Sequence, residues 1–414
     1  MSDVAVAIVG GGPSGLTAAA ALAPHVSGEV LVLERESQTG GIPRHSDHPG
    51  YGMRDLHRFI SGPAYARRLT ESAVAAGATL ETEAMVTGWS GERAIQVTSP
   101  RGVRTVTADA VVLATGARER PRPARLVPGD RPEGVYTTGQ LQNLVHLHHA
   151  EVGNRAVIVG AELVSWSAVL TLREAGCATV AMVSSYPRAE AYAAFRAAGR
   201  LLLGGPVMTR SRLVGIHGKH RVQSVTVEEI GSGRRREISC DTVVFTGDWI
   251  PDHELSRTAG LQMHHATRGP VVDTALRTSR PGVFAVGNLL HPVDTADAAA
   301  LDGRHVAAGV KAWLRHGDQL PASTQGAPMR VEAPLRWVTP QLLSPDGAAP
   351  ARGDLLLWTD EYRRFPKLRA VQDGRVLATK RTPWPAAPGR IYRAPWSLVA
   401  GADPKGGTVT LTLL

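Results

Sequence analysis

Apolar positions in this chain fall into solid runs and alternating runs. Val4-Ala5-Val6-Ala7-Ile8-Val9, Val30-Leu31-Val32-Leu33 and Ala110-Val111-Val112-Leu113 are solid, the pattern of strands buried on both faces. The first run breaks into Gly10-Gly11-Gly12-Pro13-Ser14-Gly15 and then an Ala-rich stretch from Leu16 to Leu22, which predicts strand, tight turn and helix. Thr79 to Val86, Ala94 to Thr98 and Val103 to Thr107 alternate and predict a small meander. Pro63 to Ala76 places Tyr65, Leu69 and Ala73 on one helical face. The opening order then recurs. Ala156-Val157-Ile158-Val159 leads through Gly160-Ala161-Glu162-Leu163-Val164-Ser165 to a helix ending at Ala175 and a strand from Ala178 to Val183. Leu201 to Val207, Val222 to Val227 and Thr242 to Phe245 read as further strands. A last helix is expected to start near Asp294, as its N-cap, and to run through Ala308 and Trp313.

The opening glycines fit G-x-G-x-x-G at Gly10, Gly12 and Gly15. The first permits the sharp turn, the second lets backbone approach a pyrophosphate, and the third packs helix on strand. Uncapped N–H groups and the helix dipole then attract the phosphates. Glu34 ends the second strand about twenty residues later, where a carboxylate meets ribose hydroxyls. The second copy is damaged, with Glu162 and Ser165 in the places of the second and third glycines. No acid follows its second strand, where Ser184-Ser185-Tyr186-Pro187-Arg188 stands. Two readings stay open there: a nicotinamide site with Arg188 facing a 2′-phosphate, or a nucleotide fold kept for structure alone.

Composition adjusts this picture little. The 414 residues are 43% apolar and 20% charged, ordinary for a globular protein of two or three domains. No run nears the ~20 apolar residues of a membrane span. Asp3 and the early glycine turn argue against a signal peptide, so a cytoplasmic location is the expectation. Cys177 and Cys240 alone cannot bind an iron–sulfur cluster, which takes about four thiolates; any cluster belongs to a partner. No metal-ligand set is assigned. The net charge is +9, and residues 325–414 hold 13 Lys+Arg against 7 Asp+Glu. With no basic block to track a phosphate backbone, this points to an acidic partner or anionic substrate rather than nucleic acid. Beyond the Pro/Ala/Ser/Gly stretch from Pro321 to Pro328, short strands and four of the eight tryptophans (Trp337, Trp358, Trp384, Trp396) predict a small β-rich unit. Two of these tryptophans are expected in its core and two at an interface.

The glycine start, Glu34, Gly40-Gly41, the strand ending Ala114-Thr115-Gly116 before Arg118-Glu119-Arg120-Pro121-Arg122, and Arg280-Pro281-Gly282-Val283-Phe284-Ala285-Val286-Gly287-Asn288 together resemble the two-dinucleotide-domain flavoproteins. That superfamily includes glutathione-reductase-like and thioredoxin-reductase-like enzymes. The resemblance implies an α/β fold of two Rossmann-like three-layer domains, one inserted in the other. Residues 1–122 and 248–318 form an FAD domain, 123–247 an NAD(P)-binding-like domain, and 329–414 the β-rich C-terminal domain. It implies extended FAD, with contacts at Gly10, Gly12, Pro13, Ser14, Gly15, Glu34, Arg35, Gly41, Ile42, Val86, Ala114, Thr115, Gly116, Gly287 and Asn288. Thr295, Ala296 and Asp297 fall at the flavin edge, with Asp297 turned toward substrate. Asn288 replaces the usual aspartate but keeps a bonding amide. The disulfide reductases' cysteine pair just beyond Gly-Gly is absent from Pro43 to His48, so the chain is expected not to be a disulfide reductase.

The stretches Gly40 to Gly50, Gly62 to Leu69, Ala114 to Gln142 and Val159 to Gly176 are similar to FAD subunits that accompany a second, amine-oxidising flavoprotein. Hydrogen cyanide synthase, opine oxidase and dye-linked proline dehydrogenases are built this way. This implies FAD-dependent oxidation of a small amine or amino acid in a heteromer, with a second flavoprotein and an external iron–sulfur protein as partners. The alternatives are an electron-transfer subunit, without substrate chemistry of its own, and a stand-alone NAD(P)H-dependent reductase. Arg44, His45 and His48 lie in the loop that meets the isoalloxazine in relatives, and are the candidate acid–base groups. Their other role is to hold the loop by hydrogen bonds. Cys177 and Cys240, in apolar segments, are expected to be buried and inert.

Overall fold

The solid apolar runs lie side by side. In the computed structural model, which describes residues 2–191, 203–291 and 294–414, Val4–Val9 pairs parallel with Val30–Leu33 on one side and Gly102–Leu113 on the other. Every residue of Val4–Val9 is buried, as a central strand covered on both faces must be. Thr79–Glu81 extends the sheet beyond Val30–Leu33, and Val283–Ala285 pairs with Gly102–Leu113. That last strand changes partners along its length. Residues 102–107 join the antiparallel meander of Ala94–Ser99 and Met85–Trp89, while 108–113 sit in the parallel sheet. Its exposed start and buried end follow the switch from alternating to solid pattern.

Two helices cover one face with bare backbone at their crossing. The Pro13–Leu22 helix packs on Ala296–His316. A β-carbon at Gly303 would stand 2.3 Å from the Ser14 carbonyl oxygen. The long helix begins one residue later than the sequence suggests, with Thr295 as N-cap. Asp294 is drawn instead into ion pairs with Arg54 and Arg393.

The second body is a parallel sheet in the order Val135–Thr137, Thr242–Phe245, Arg155–Val159, Ala178–Val183, Val207–Met208. Ser211–His217, Ser224–Glu229 and Arg235–Ser239 form an antiparallel sheet beside it. Leu201 and Leu202 lie outside the described residues. The chain passes between the bodies twice, and the two passages pair as strands, Ala117–Glu119 with Trp249–Pro251. Glu119 reinforces the passage by accepting the Thr138 and Gly139 N–H groups at the start of helix Thr138–His148.

Residues after 328 form two small sheets around Leu355, Leu357, Leu368, Tyr392, Val409 and Leu411. Of its tryptophans, Trp337 is buried and stacks on His291 of the first body at 5.3 Å, with Trp358 behind it at 6.0 Å. Trp396 packs on the C-terminal core. Trp384 is 46% exposed. The unit docks through charge as well. Arg352 meets Asp302 on the long helix at 2.7 Å with both side chains buried, and Arg393 meets Asp294. Among the described residues no helix is long and apolar enough to cross a membrane.

Arg352→Ala strands Asp302 without its counter-charge. Loss of one partner of a buried pair costs about 3–5 kcal/mol, so urea unfolding should show that loss of stability. Replacing both residues with apolar ones should recover most of it.

Candidate active site

The opening turn is built for close approach. Gly10 has φ +107°, and a β-carbon at Gly15 would stand 1.9 Å from the Gly10 carbonyl oxygen. Helix and strand therefore touch through backbone alone. At Gly12, by contrast, a β-carbon would meet only the Gly41 Cα, at 4.0 Å. The space above Gly12 is open. The helix beginning at Pro13 carries no side-chain cap and no acid in its first turn, so its N–H groups face that space unpartnered by side chains. This is what a pyrophosphate requires.

Glu34 is buried and pre-set. One carboxylate oxygen accepts the Gly11 N–H at 2.8 Å and the other the Glu36 N–H at 2.9 Å. Each oxygen keeps a lone pair for a hydroxyl. Gly41, at φ +61°, lies against Gly12, which brings Ile42 beside the turn. Ala114 abuts Gly10, and the Thr115 hydroxyl donates to the Asp252 carbonyl at 2.7 Å. The Gly116 carbonyl accepts from the Asp252 N–H. Arg35 pairs with the Asp252 carboxylate at 3.2 Å. The Val86 side chain is buried in the core.

The late glycine folds onto the early one. A β-carbon at Gly287 would lie 2.3 Å from the Ser14 hydroxyl. Asn288 has both ends of its amide engaged: Nδ2 donates to the Asp294 carbonyl and Oδ1 accepts the Asp294 N–H. Thr295 accepts from Arg54, and Ala296 lends its carbonyl to the Tyr65 hydroxyl at 3.5 Å. Asp297 is buried, and its carboxylate takes the N–H groups of Arg54 and Ala298. It serves the helix start and the neighbouring loop.

The loop at 42–48 is clamped between the two bodies. His48 Nδ1 donates to the Pro49 carbonyl at 2.9 Å, which leaves the single lone pair of Nε2 to accept from the Ser167 hydroxyl at 2.6 Å, with the Ser46 hydroxyl at 3.1 Å. The Gln142 amide donates to both serine oxygens, at 3.1 and 2.7 Å. The Ser46 hydroxyl also has the Tyr51 phenol as a partner. Burial holds His48 below its ordinary pKa. His45 is buried, and burial, then Arg44 and His146, push it down to about 4. Its carbonyl takes the His146 Nδ1 proton at 2.6 Å. Arg44 reaches Glu36 at 3.7 Å and the Gln38 carbonyl. Behind the loop, Tyr51 packs between the tilted rings of His48 and Tyr65, and burial above all raises its phenol to about 12. Tyr65 donates to Asp55 at 2.6 Å; burial raises that carboxyl. Gln142, His146 and Ser167 carry no sequence signal, since they reach the loop from helices of the other body.

The family model for pyridine nucleotide-disulphide oxidoreductases matches residues 4–303. The chain belongs to this family. It is a member of a class of FAD-dependent oxidoreductases whose proteins bind FAD and NAD(P). A thioredoxin reductase of Treponema pallidum (strain Nichols) is 28% identical over 304 residues, covering 70% of this chain and 89% of that one. An opine oxidase subunit of Agrobacterium tumefaciens (strain Ach5) is 29% identical over 343 residues, covering 74% of this chain and 65% of that one. Among solved structures, the thioredoxin reductase of T. acidophilum shares the fold, with TM-score 0.62 and 21% identity, covering 75% of this chain and 99% of that one.

These matches correct the expectation that the chain is not a disulfide reductase: the two thioredoxin reductases match it over 70% and 75% of its length. That expectation rested on one loop, Pro43 to His48, and the thiol content of one loop does not set a family. The two cysteines, far apart in sequence, also converge. Cys177 precedes the Ala178–Val183 strand and Cys240 the Thr242–Phe245 strand, close enough for the Cys177 charge to act on Cys240. Both are buried; burial first and Asp241 second raise their thiols to about 11 and about 12.

Gly15→Ala drives a methyl into the Gly10 carbonyl and should weaken FAD retention at least about tenfold (~1.4 kcal/mol); bound flavin per chain after gel filtration reads this. Acid should weaken the fold through His45 and through His305, whose buried imidazole is also pushed down to about 4. The unfolded chain binds their protons near 6.5 and the folded one near 4. Stability is therefore complete above pH 6.5 and falls as pH drops toward 4, by roughly 2–3 kcal/mol per imidazole. Urea midpoints across that window measure it.

Proposed function

We propose that the chain is the FAD-carrying subunit of a flavoenzyme that oxidises a small amine or amino acid. One observation carries this reading: an open, uncapped first turn with Glu34 already oriented, in a chain similar to an opine oxidase subunit over 74% of its length. In this reading Gly10, Gly12, Pro13, Ser14 and Gly15 hold the pyrophosphate. Glu34, with Arg35 and Val86 nearby, meets the adenosine end. Gly41, Ile42, Ala114, Thr115, Gly116, Gly287 and Asn288 line the way to the ring, and Thr295 and Ala296 present the helix start. A bound FAD would supply a two-electron acceptor for the hydride of the C–H beside the substrate nitrogen, the nitrogen losing a proton as C–N becomes C=N. The helix Ala296–His316 aims its positive end at the site and so favours negative charge there.

His48 is the better placed of the three candidate acid–base groups. Its tautomer is fixed, and two serine hydroxyls on Nε2 can hand a proton to or from it. His45 holds the loop through its carbonyl, and Arg44 steadies the Glu36 end. A second flavoprotein and an external iron–sulfur protein are the proposed partners. The net charge of +9 suits acidic ones. That charge also favours a second reading, in which this chain relays electrons and its partner does the substrate chemistry.

Purified protein should be yellow and hold about one FAD per chain, a single-site stoichiometry expected of the one open turn. Anaerobic mixing with a panel of opines, amino acids and small amines should bleach the flavin, in the isolated chain for the first reading and only with the copurifying flavoprotein for the second. Protein that stays colourless with added FAD, or flavin that no such substrate bleaches in either form, defeats the proposal.

A further inference from the structure

The second glycine turn has the backbone of the first and different contents. Gly160 has φ +135°, and its N–H bonds the Val183 carbonyl at 2.8 Å, just as Gly10 bonds Leu33 at 2.9 Å. Where the first turn opens onto empty space, Glu162 fills the second. Its Oε2 accepts the Ala161 N–H at 3.0 Å. A β-carbon at Gly247 would lie 2.6 Å from its Oε1, so the carboxylate is pressed against bare backbone. That Oε1 is out of contact with water and accepts no hydrogen bond among the described residues.

The C-terminal unit lies on top. A β-carbon at Gly389 would stand 2.5 Å from the Glu190 Cβ and 3.7 Å from the Glu162 Cβ. The loop backbone at Gly389 therefore rests on both acids. Arg188, the candidate partner for a 2′-phosphate, has its guanidinium over the Tyr362 ring at 5.1 Å. Asp360 and Arg336 of the same unit come close enough to act on the Tyr186 phenol. After the second strand, Ser184 is buried and Tyr186 and Arg188 lie against the C-terminal unit, while Ser185 and Pro187 are exposed.

We propose that this chain closes its own second dinucleotide turn: Glu162 stands in the pyrophosphate position, Glu190 stands beside it, and the Gly389 loop lies against both. The physical consequence is exclusion of nicotinamide nucleotides. A pyrophosphate would bring its charges against a half-buried carboxylate, where water and counter-ions screen them less than in bulk solvent. The two acids already resist each other there. Glu190 is pushed up to about 8, by burial first and by Glu162 second, and its carboxylate accepts the Ser184 hydroxyl at 3.0 Å. A third anion has no site. Electrons then enter the flavin by a route other than this turn, whichever substrate supplies them.

The test measures nucleotide binding, and so stands apart from the flavin content and substrate bleaching that test the function. FAD-loaded protein is titrated calorimetrically with ADP-ribose, NADH and NADPH, and mixed anaerobically with the two reduced nucleotides. The expected result is no saturable binding up to about 1 mM and no bleaching. Saturable binding to the wild type overturns the closure. The variant E162G/E190A removes both acids and leaves the C-terminal unit in place; it should bind ADP-ribose at least about tenfold more tightly than wild type. Where it retains FAD but gains nothing, the proposal fails. Should it not fold, E162Q keeps the side-chain volume and loses the charge. A gain of several-fold is then expected, and an unchanged affinity counts against the acid as the barrier.

Discussion

The structure depends on two places where backbone touches backbone without a side chain between, and on a third where a glycine makes room for a small one. The first helix lies on its own strand at Gly15, where a β-carbon would stand only 1.9 Å from a carbonyl oxygen, and on the last helix at Gly303, where the same distance is 2.3 Å. Gly287 takes the Ser14 hydroxyl into the same space. These contacts draw a turn at residue 10 and a turn at residue 287 into one cleft. Dispersion and burial at such close range reward the fit, and any added carbon must move a whole element. The open position at Gly12 exists because its neighbours are filled so completely.

The second body's grip on the 42–48 loop follows from that arrangement. With the early and late turns joined, the chain crosses to the second body and back by one pair of strands, which leaves helices Thr138–His148 and Leu163–Glu174 facing the loop. Gln142 and Ser167 then finish a hydrogen-bond array that Ser46 and His48 begin. An array shared in this way ties the side chains of the two bodies to one another. The candidate acid–base groups are thus oriented by the relative placement of two bodies, and a shift between those bodies would be felt first at His48.

The sequence was most legible where pattern alone decides structure. Solid apolar runs became parallel strands, and glycines with a steric reason became turns. It was least legible where long-range contact decides. Asp294 reads as an N-cap, yet Arg393 from a separate unit competes for its carboxylate and Thr295 takes the cap. Asp297 reads as a carboxylate at the flavin edge turned toward substrate, and the backbone N–H groups of Arg54 and Ala298 claim it. Val103 and Leu113 read as two strands because the pattern changes between them, whereas one strand simply changes partners. Gln142, His146 and Ser167 could not be found at all, for nothing local marks a helix residue that meets a loop far away in the chain. The missing cysteine pair misled for a related reason: a single loop says what that loop does and little about the frame around it.

Two copies of one turn, in one chain, separate backbone from chemistry. Gly10 and Gly160 share the left-handed backbone and the same bond to the neighbouring strand, so the fold tolerates either set of contents. What differs is a side chain at the second glycine position and what covers it. A carboxylate on an open turn would be solvated and could swing aside when a nucleotide arrives. Pressed against Gly247 on one side and the Gly389 loop on the other it has little room, and its charge acts at close range where screening is reduced. The β-rich unit therefore matters at both turns. Its Arg393 holds the Asp294 loop beside the open one, and its Gly389 loop rests on the filled one.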